Sequence, residues 1–125
     1  MADAAQVAEG KLYLIGGAWN RLALTQFPGP APFAVALALL VGWDETNQSH
    51  VASLTLEDED GHVTLGPIEM RFEVGRPTGI PAGGEQRVVM AFNGQLVVPA
   101  PGGYSVVVRV GEDELARTSF RAAPA

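Results

Sequence analysis

Ile68-Glu69-Met70-Arg71-Phe72-Glu73-Val74 alternates apolar and charged residues without a break. Side chains of period two point to opposite faces of a strand, so this segment has one dry face and one wet face, as an antiparallel sheet allows. Just upstream, Ala52, Leu54 and Leu56 alternate with Ser53, Thr55 and Glu57. Asp60-Gly61 lies between the two runs and supplies the positive-φ residues of a tight hairpin turn before His62 and Val63. Gln86 to Phe92 repeats the scheme with Val88, Met90 and Phe92 on one face, whereas Phe33 to Trp43 is apolar on both faces and predicts a central strand. Tyr104, Val106, Val108 and Val110 share a face, and Gly111-Glu112-Asp113-Glu114 turns the chain into Leu115 to Arg121 as a second hairpin.

The remaining segments follow the same logic. Ala4, Ala5, Val7 and Ala8 suit a helix by propensity, but Glu9-Gly10 followed by Lys11 to Ile15 reads as turn then strand. Trp19 to Leu24 predicts a further strand, bent away at Gly16-Gly17, and Asp44 to Gln48 predicts one helical turn capped by Asp44. Fifteen glycines and nine prolines fall between short apolar runs, the distribution of an all-β domain with many turns. No internal repeat or linker interrupts the chain.

A chain of 125 residues is one domain's worth, able to bury about two-thirds of its unfolded surface. Its 47% hydrophobic and 18% charged residues are too apolar for disorder and too interrupted for a membrane protein. The longest apolar run, Pro32 to Trp43, falls short of the ~20 residues a membrane helix needs. Without cysteine there are no disulfides, thiolate metal sites or cysteine nucleophiles. The opening Met1-Ala2-Asp3-Ala4-Ala5 has neither basic nor apolar signal character, which places the protein in the cytoplasm. A net charge of −6 disfavours nucleic acid and anionic membranes and leaves basic partners open.

Pro99-Ala100-Pro101-Gly102-Gly103-Tyr104, leading into an alternating strand and a closing hairpin, resembles the last two strands of immunoglobulin-like sandwiches. Tyr104 stands where such folds bond a corner hydroxyl back to the preceding backbone. The N-terminal run from Asp3 to Leu22, the Leu56-Glu57-Asp58-Glu59-Asp60-Gly61 turn, Arg71 to Pro77 and the Pro-Gly-Gly-Tyr strand entry resemble a family of small bacterial proteins of unknown function. That resemblance implies a β-sandwich with the N-terminal segment as a strand. In that family a cysteine usually precedes the N-terminal Asp. Ala2 stands there in this chain, so no thiol role carries over, and the resemblance supplies no activity, cofactor or catalytic residue.

Candidate chemistry is sparse. His50 lies about nine strand residues from the turn near His62, roughly 30 Å away, so the two cannot share an ion within this hairpin. The acidic run Glu57 to Asp60 lacks the ligand spacing of a calcium loop and reads as a solvated turn. Glu57, Glu69, Glu73 and Glu85 alternate with apolar residues on solvated sheet faces, where carboxylates make poor catalysts. Ser49 and His50 are strand neighbours pointing to opposite faces. Gly75 to Gly84 is glycine-rich but has no Lys-Ser/Thr ending and reads as a crossover between sheets, with Arg76 its most notable side chain. Trp19-Asn20-Arg21 and Trp43-Asp44 pair an aromatic plate with hydrogen-bonding neighbours, a composition that interfaces favour if the ring is not core.

The sequence therefore predicts a single all-β domain over residues 1–125: a two-layer antiparallel sandwich, immunoglobulin-like, of seven to nine short strands and at most one short helical turn. It points to a non-enzymatic protein-binding or assembly module with no cofactor and no metal. The partner is a protein or a second copy, neither nucleic acid nor membrane, and the candidate surface is Trp19, Arg21, Trp43 and Arg76. Alternatives are a small-molecule carrier with a cavity between its sheets, and a metal-dependent hydrolase.

Overall fold

The computed structural model describes residues 1–125. Nine strands run in chain order as β1 (Ala4–Ala8), β2 (Lys11–Ile15), β3 (Arg21–Leu24), β4 (Gly29–Val41), β5 (Ser49–Asp58), β6 (Val63–Glu73), β7 (Gln86–Val98), β8 (Gly102–Val110) and β9 (Asp113–Pro124). The only helical element is a 3-10 turn at Trp43–Glu45. Its N-cap is Gly42 and no side chain caps it, so Asp44 lies inside the turn and does not play the capping role expected of it.

Five strands form one sheet in the order β3-β9-β8-β5-β6. The long β4 and β7 pair antiparallel over thirteen residues as a separate ribbon. Phe33 and Val35 of β4 and Leu96 and Val98 of β7 meet Leu54 and Leu56 of β5, Tyr104 and Val106 of β8, and Phe120 and Ala122 of β9 in one buried cluster. The ribbon thus lies over the inner face of the larger sheet, and the expected alternations set which side chains enter: Ala52, Leu54 and Leu56 are buried, as are Tyr104, Val106 and Val108. Ile68, Met70 and Phe72 are half-buried, while Glu69, Arg71 and Glu73 are exposed. The stretch Gly75 to Glu85 crosses from β6 to β7, from one layer to the other.

Three features differ from the sequence reading. β3 pairs with β9 in parallel, Arg21 opposite Arg121 through Leu24 opposite Pro124, so the sheet is not wholly antiparallel. β4 is no central strand: it has one full neighbour, β7, and a single bridge between Ala2 and Ala34 on its other side. It is apolar on both faces because β1 covers part of its outer face, where Ala2, Ala5 and Ala34 form a second small core flanked by Ala36 and Ala91. Glu57 does not stand on a solvated face. It is 7% exposed, and Arg109, reaching across from β8, closes over it.

Turns follow the residue chemistry. Glu9 and Gly10 both have positive φ, 52° and 71°, which a two-residue hairpin requires for its strands to twist correctly. Near residue 60 only Gly61 has positive φ, at 81°, and Asp58 shapes the loop by accepting from the N–H groups of Asp60 and His62, each at 2.9 Å. The Tyr104 hydroxyl donates to the carbonyl of Ala100 at 2.6 Å, the bond back to preceding backbone that its position suggested.

Candidate functional site: an apolar cleft between two open strand edges

The five-stranded sheet is wider than the two-stranded ribbon over it, so part of its inner face needs other cover. At the end near Phe120 the strap Gly16–Pro28 supplies it: Trp19 packs edge-on to Phe120 with ring centroids 5.6 Å apart, and Leu22, Leu24 and Phe27 join the core. At the opposite end only Met1 approaches the first half of β9. β3 reaches only residues 121–124, which leaves the Asp113–Ser119 edge of β9 unpaired, and the facing edge of β4 beyond Ala34 is unpaired too.

Between these edges lies a cleft of about 370 Å³. Leu39 and Val41 of β4 form one wall, Val110, Leu115 and Ala116 the other, and His50 and Phe72 the end. The His50 ring stacks on Phe72 at 5.3 Å, and its Nε2 lies 2.6 Å from the carbonyl oxygen of Glu45. A smaller recess of about 180 Å³, walled by Val35, Leu37, Val106, Val108 and Thr118, shares Ala116 with it. The walls are apolar because Val106, Val108 and Val110 are the inward side chains of β8, and Ala116 and Thr118 are too small to fill the space above them.

The rim is acidic. Glu45 and Asp113 line the cleft, with Asp44 and Glu112 beside them in sequence, and none of the four is in an ion pair. The nearby cations are engaged. Arg109 bridges Glu57 at 3.1 Å and Glu114 at 3.8 Å, and Arg117 holds Glu114 at 2.8 Å. The Arg117 hydrogen bond, reinforced by the charges of Arg117 and Arg109, keeps the Glu114 carboxyl below the usual carboxylate range.

The candidate surface residues separate into two pairs. Trp43 and Arg76, distant in sequence, come together beside the cleft: the Arg76 guanidinium lies 4.0 Å from the centre of the Trp43 ring, and its Nη2 donates to the Trp43 carbonyl at 2.9 Å. Its Nε donates to the Thr46 hydroxyl at 2.5 Å, and Thr46 is buried. Both residues are therefore partly committed to fastening the crossover to the 3-10 turn. Trp19 and Arg21 lie at the other end, Trp19 half-buried against the core and Arg21 exposed on β3 with no ion pair. No single surface unites all four. Sequence reasoning missed Leu39, Leu115 and the His50–Phe72 stack, because a cleft between layers depends on which strands lie opposite each other, and no local pattern records that.

Asp58, Asp60 and His62 place potential ligand atoms within 4.8 Å of one another. Their geometry belongs to the turn: Asp58 Oδ1 already takes two backbone N–H groups, and the bond from His62 leads the causes that hold its carboxyl below the usual range. His50 sits at the far end of the same hairpin, paired with Phe72. No helix is long and apolar enough to cross a membrane.

No curated protein and no solved structure matches the chain. A family model does, over residues 1–123, and with nearly the whole all-β domain inside that match the chain belongs to DUF6941, a family of unknown function.

Proposed function

We propose that this protein is a non-enzymatic binding module that takes an extended, apolar segment of a partner protein, carrying a basic residue at one end, into the cleft between β4 and β9. The observation that carries this reading is the pairing of an apolar trough with two unpaired strand edges and a rim of carboxylates that form no ion pair. A strand laid against the β4 edge gains backbone hydrogen bonds, its alternate side chains fill the trough, and a Lys or Arg at its end meets Glu45 and Asp113. A non-catalytic role is supported by the engagement of the cleft's one imidazole with a backbone carbonyl. Cytoplasmic residence belongs to the same proposal.

The test is a titration of the labelled protein with a short synthetic peptide of alternating valine and threonine ending in arginines, and with its glutamate-ended counterpart. The arginine peptide is expected to shift the resonances of Leu39, Val41, His50, Val110 and Leu115, and Glu45→Lys with Asp113→Lys is expected to invert the preference. Equal response to both peptides, or none at the cleft, overturns the reading. A second reading, a small-molecule carrier, is favoured by the cleft's volume, which falls in the range of roughly 300–1,000 Å³ typical of ligand pockets.

A further inference from the structure

β2 carries the longest run of exposed large apolar side chains in the molecule. Tyr13, Leu14 and Ile15 are 50%, 52% and 71% exposed, three consecutive large apolar residues on a strand with one neighbour. Natural edge strands are blunted by charge, proline or a bulge. The open edge of β9 follows that rule, with Glu112, Asp113 and Glu114 at its start and a register shift beside Leu115. β2 has only Lys11, at its beginning.

The direction of its free edge is fixed by the hairpin. Across the two-residue turn, Ala8 and Lys11 flank the loop, so the hydrogen-bonded pairs are Ala8 with Lys11, Gln6 with Tyr13, and Ala4 with Ile15. Ala5 agrees: its N–H and carbonyl point away from β2, to Oδ1 and Nδ2 of Asn93 at 3.0 and 2.8 Å. The backbone groups of Leu12 and Leu14 therefore face outward, away from β1 and from the body that Asn93 anchors.

We propose that this edge joins two copies of the chain, β2 against β2, antiparallel about Tyr13. In that register Leu12 lies opposite the partner's Leu14 and Leu14 opposite the partner's Leu12, and the outward N–H and carbonyl groups close four backbone bonds. Charge selects this register over its neighbours. Lys11, the only lysine of the chain, arrives beside the partner's Ile15, where Asp3 rests its carboxylate against Gly16. Neither Lys11 nor Asp3 has an ion-pair partner within its own chain. They cannot meet in one copy, since Lys11 and Ile15 stand about 13 Å apart along the strand. The product is a four-stranded ribbon that covers Tyr13, Leu14 and Ile15. A contact of this size buries less than the ~1,200 Å² of a standard interface, the range of weak and transient complexes.

Sedimentation velocity across the micromolar range tests it. The wild-type chain is expected to pass from monomer to dimer. Leu14→Pro, which removes an edge N–H that β1 does not use, is expected to keep the far-ultraviolet spectrum and abolish the dimer. Lys11→Glu and Asp3→Lys each weaken it roughly fivefold or more, and the two together restore it. Because a non-hydrogen-bonded antiparallel pair brings Cα atoms to about 4.5 Å, Tyr13→Cys is expected to cross-link two copies on mild oxidation, whereas Gln6→Cys does not. A monomer at every concentration overturns the proposal. So does a dimer indifferent to Leu14→Pro in which Tyr13→Cys fails to cross-link.

Discussion

Arg109 shows how a single side chain sets the character of a sheet face. Its Nη1 lies 3.1 Å from both Glu57 Oε2 and Thr55 Oγ1, and Thr55 donates to the same Glu57 oxygen at 3.0 Å. Glu57, though it points outward by alternation, is thereby withdrawn from water, and Val107 beside Arg109 on the outer face of β8 is fully buried. Removing the cation strands a buried carboxylate, a costlier change than removing the anion. Arg109→Met is expected to cost about 2–4 kcal/mol, and Glu57→Gln, which keeps an acceptor for Thr55, clearly less. Urea unfolding read as a shift in midpoint at constant slope checks both. Equal costs would show that Glu57 stays hydrated without Arg109.

At the scale of elements, one side-chain amide fastens the β1–β2 ribbon to β7, beside the backbone bridge that ties Ala2 to Ala34 of β4. Asn93 on β7 both donates to and accepts from Ala5, while Ala2, Ala5 and Ala34 pack so closely that small side chains are required. Asn93→Asp replaces the donor to Ala5 with an oxygen facing a carbonyl. The loss, about 1–2 kcal/mol, falls on the ribbon alone, so amide exchange at Gln6 and Tyr13 is expected to quicken roughly tenfold or more while Leu54 and Val107 keep their rates. A uniform change across both sets would mean that the ribbon and the main sheet open as one unit. The same ribbon marks what the sequence discloses. Glu9-Gly10 announces its turn, because only certain residues tolerate positive φ, and the strict alternation at Ile68–Val74 announces β6, because one of its faces meets water. β3 on β9 went unseen, since parallel pairing of distant segments leaves no local signature. β4 looked central because its two apolar faces meet different neighbours, the main core and the alanines under β1. The Trp43–Arg76 contact has visible ingredients in the sequence, but only the crossover from β6 to β7 brings them together.

For the whole molecule, charge makes the two proposed surfaces respond to salt to different degrees. Each copy carries a net charge of −6, so two copies repel at long range even as Lys11 and Asp3 attract locally. With centres about 35 Å apart, the unscreened repulsion in water is about 4 kcal/mol. A Debye length of about 30 Å at 0.01 M leaves roughly a third of it, and about 8 Å at 0.15 M leaves almost none. The exposed Lys11–Asp3 pairs lose at most about 1 kcal/mol each over the same change, and the backbone bonds and apolar contacts of β2 are indifferent to it. The repulsion relieved, about 1.3 kcal/mol, is offset by what the two pairs lose, so self-association is expected to change little as salt rises to physiological strength. Binding of the arginine-ended peptide draws instead on both the net charge and the rim at Glu45 and Asp113, so all its electrostatic contributions weaken together and its affinity is expected to fall severalfold. Sedimentation and peptide titration at the two salt concentrations measure the contrast. Parallel loss of both with salt would mean that local charge pairs, rather than strand pairing, hold the two copies together.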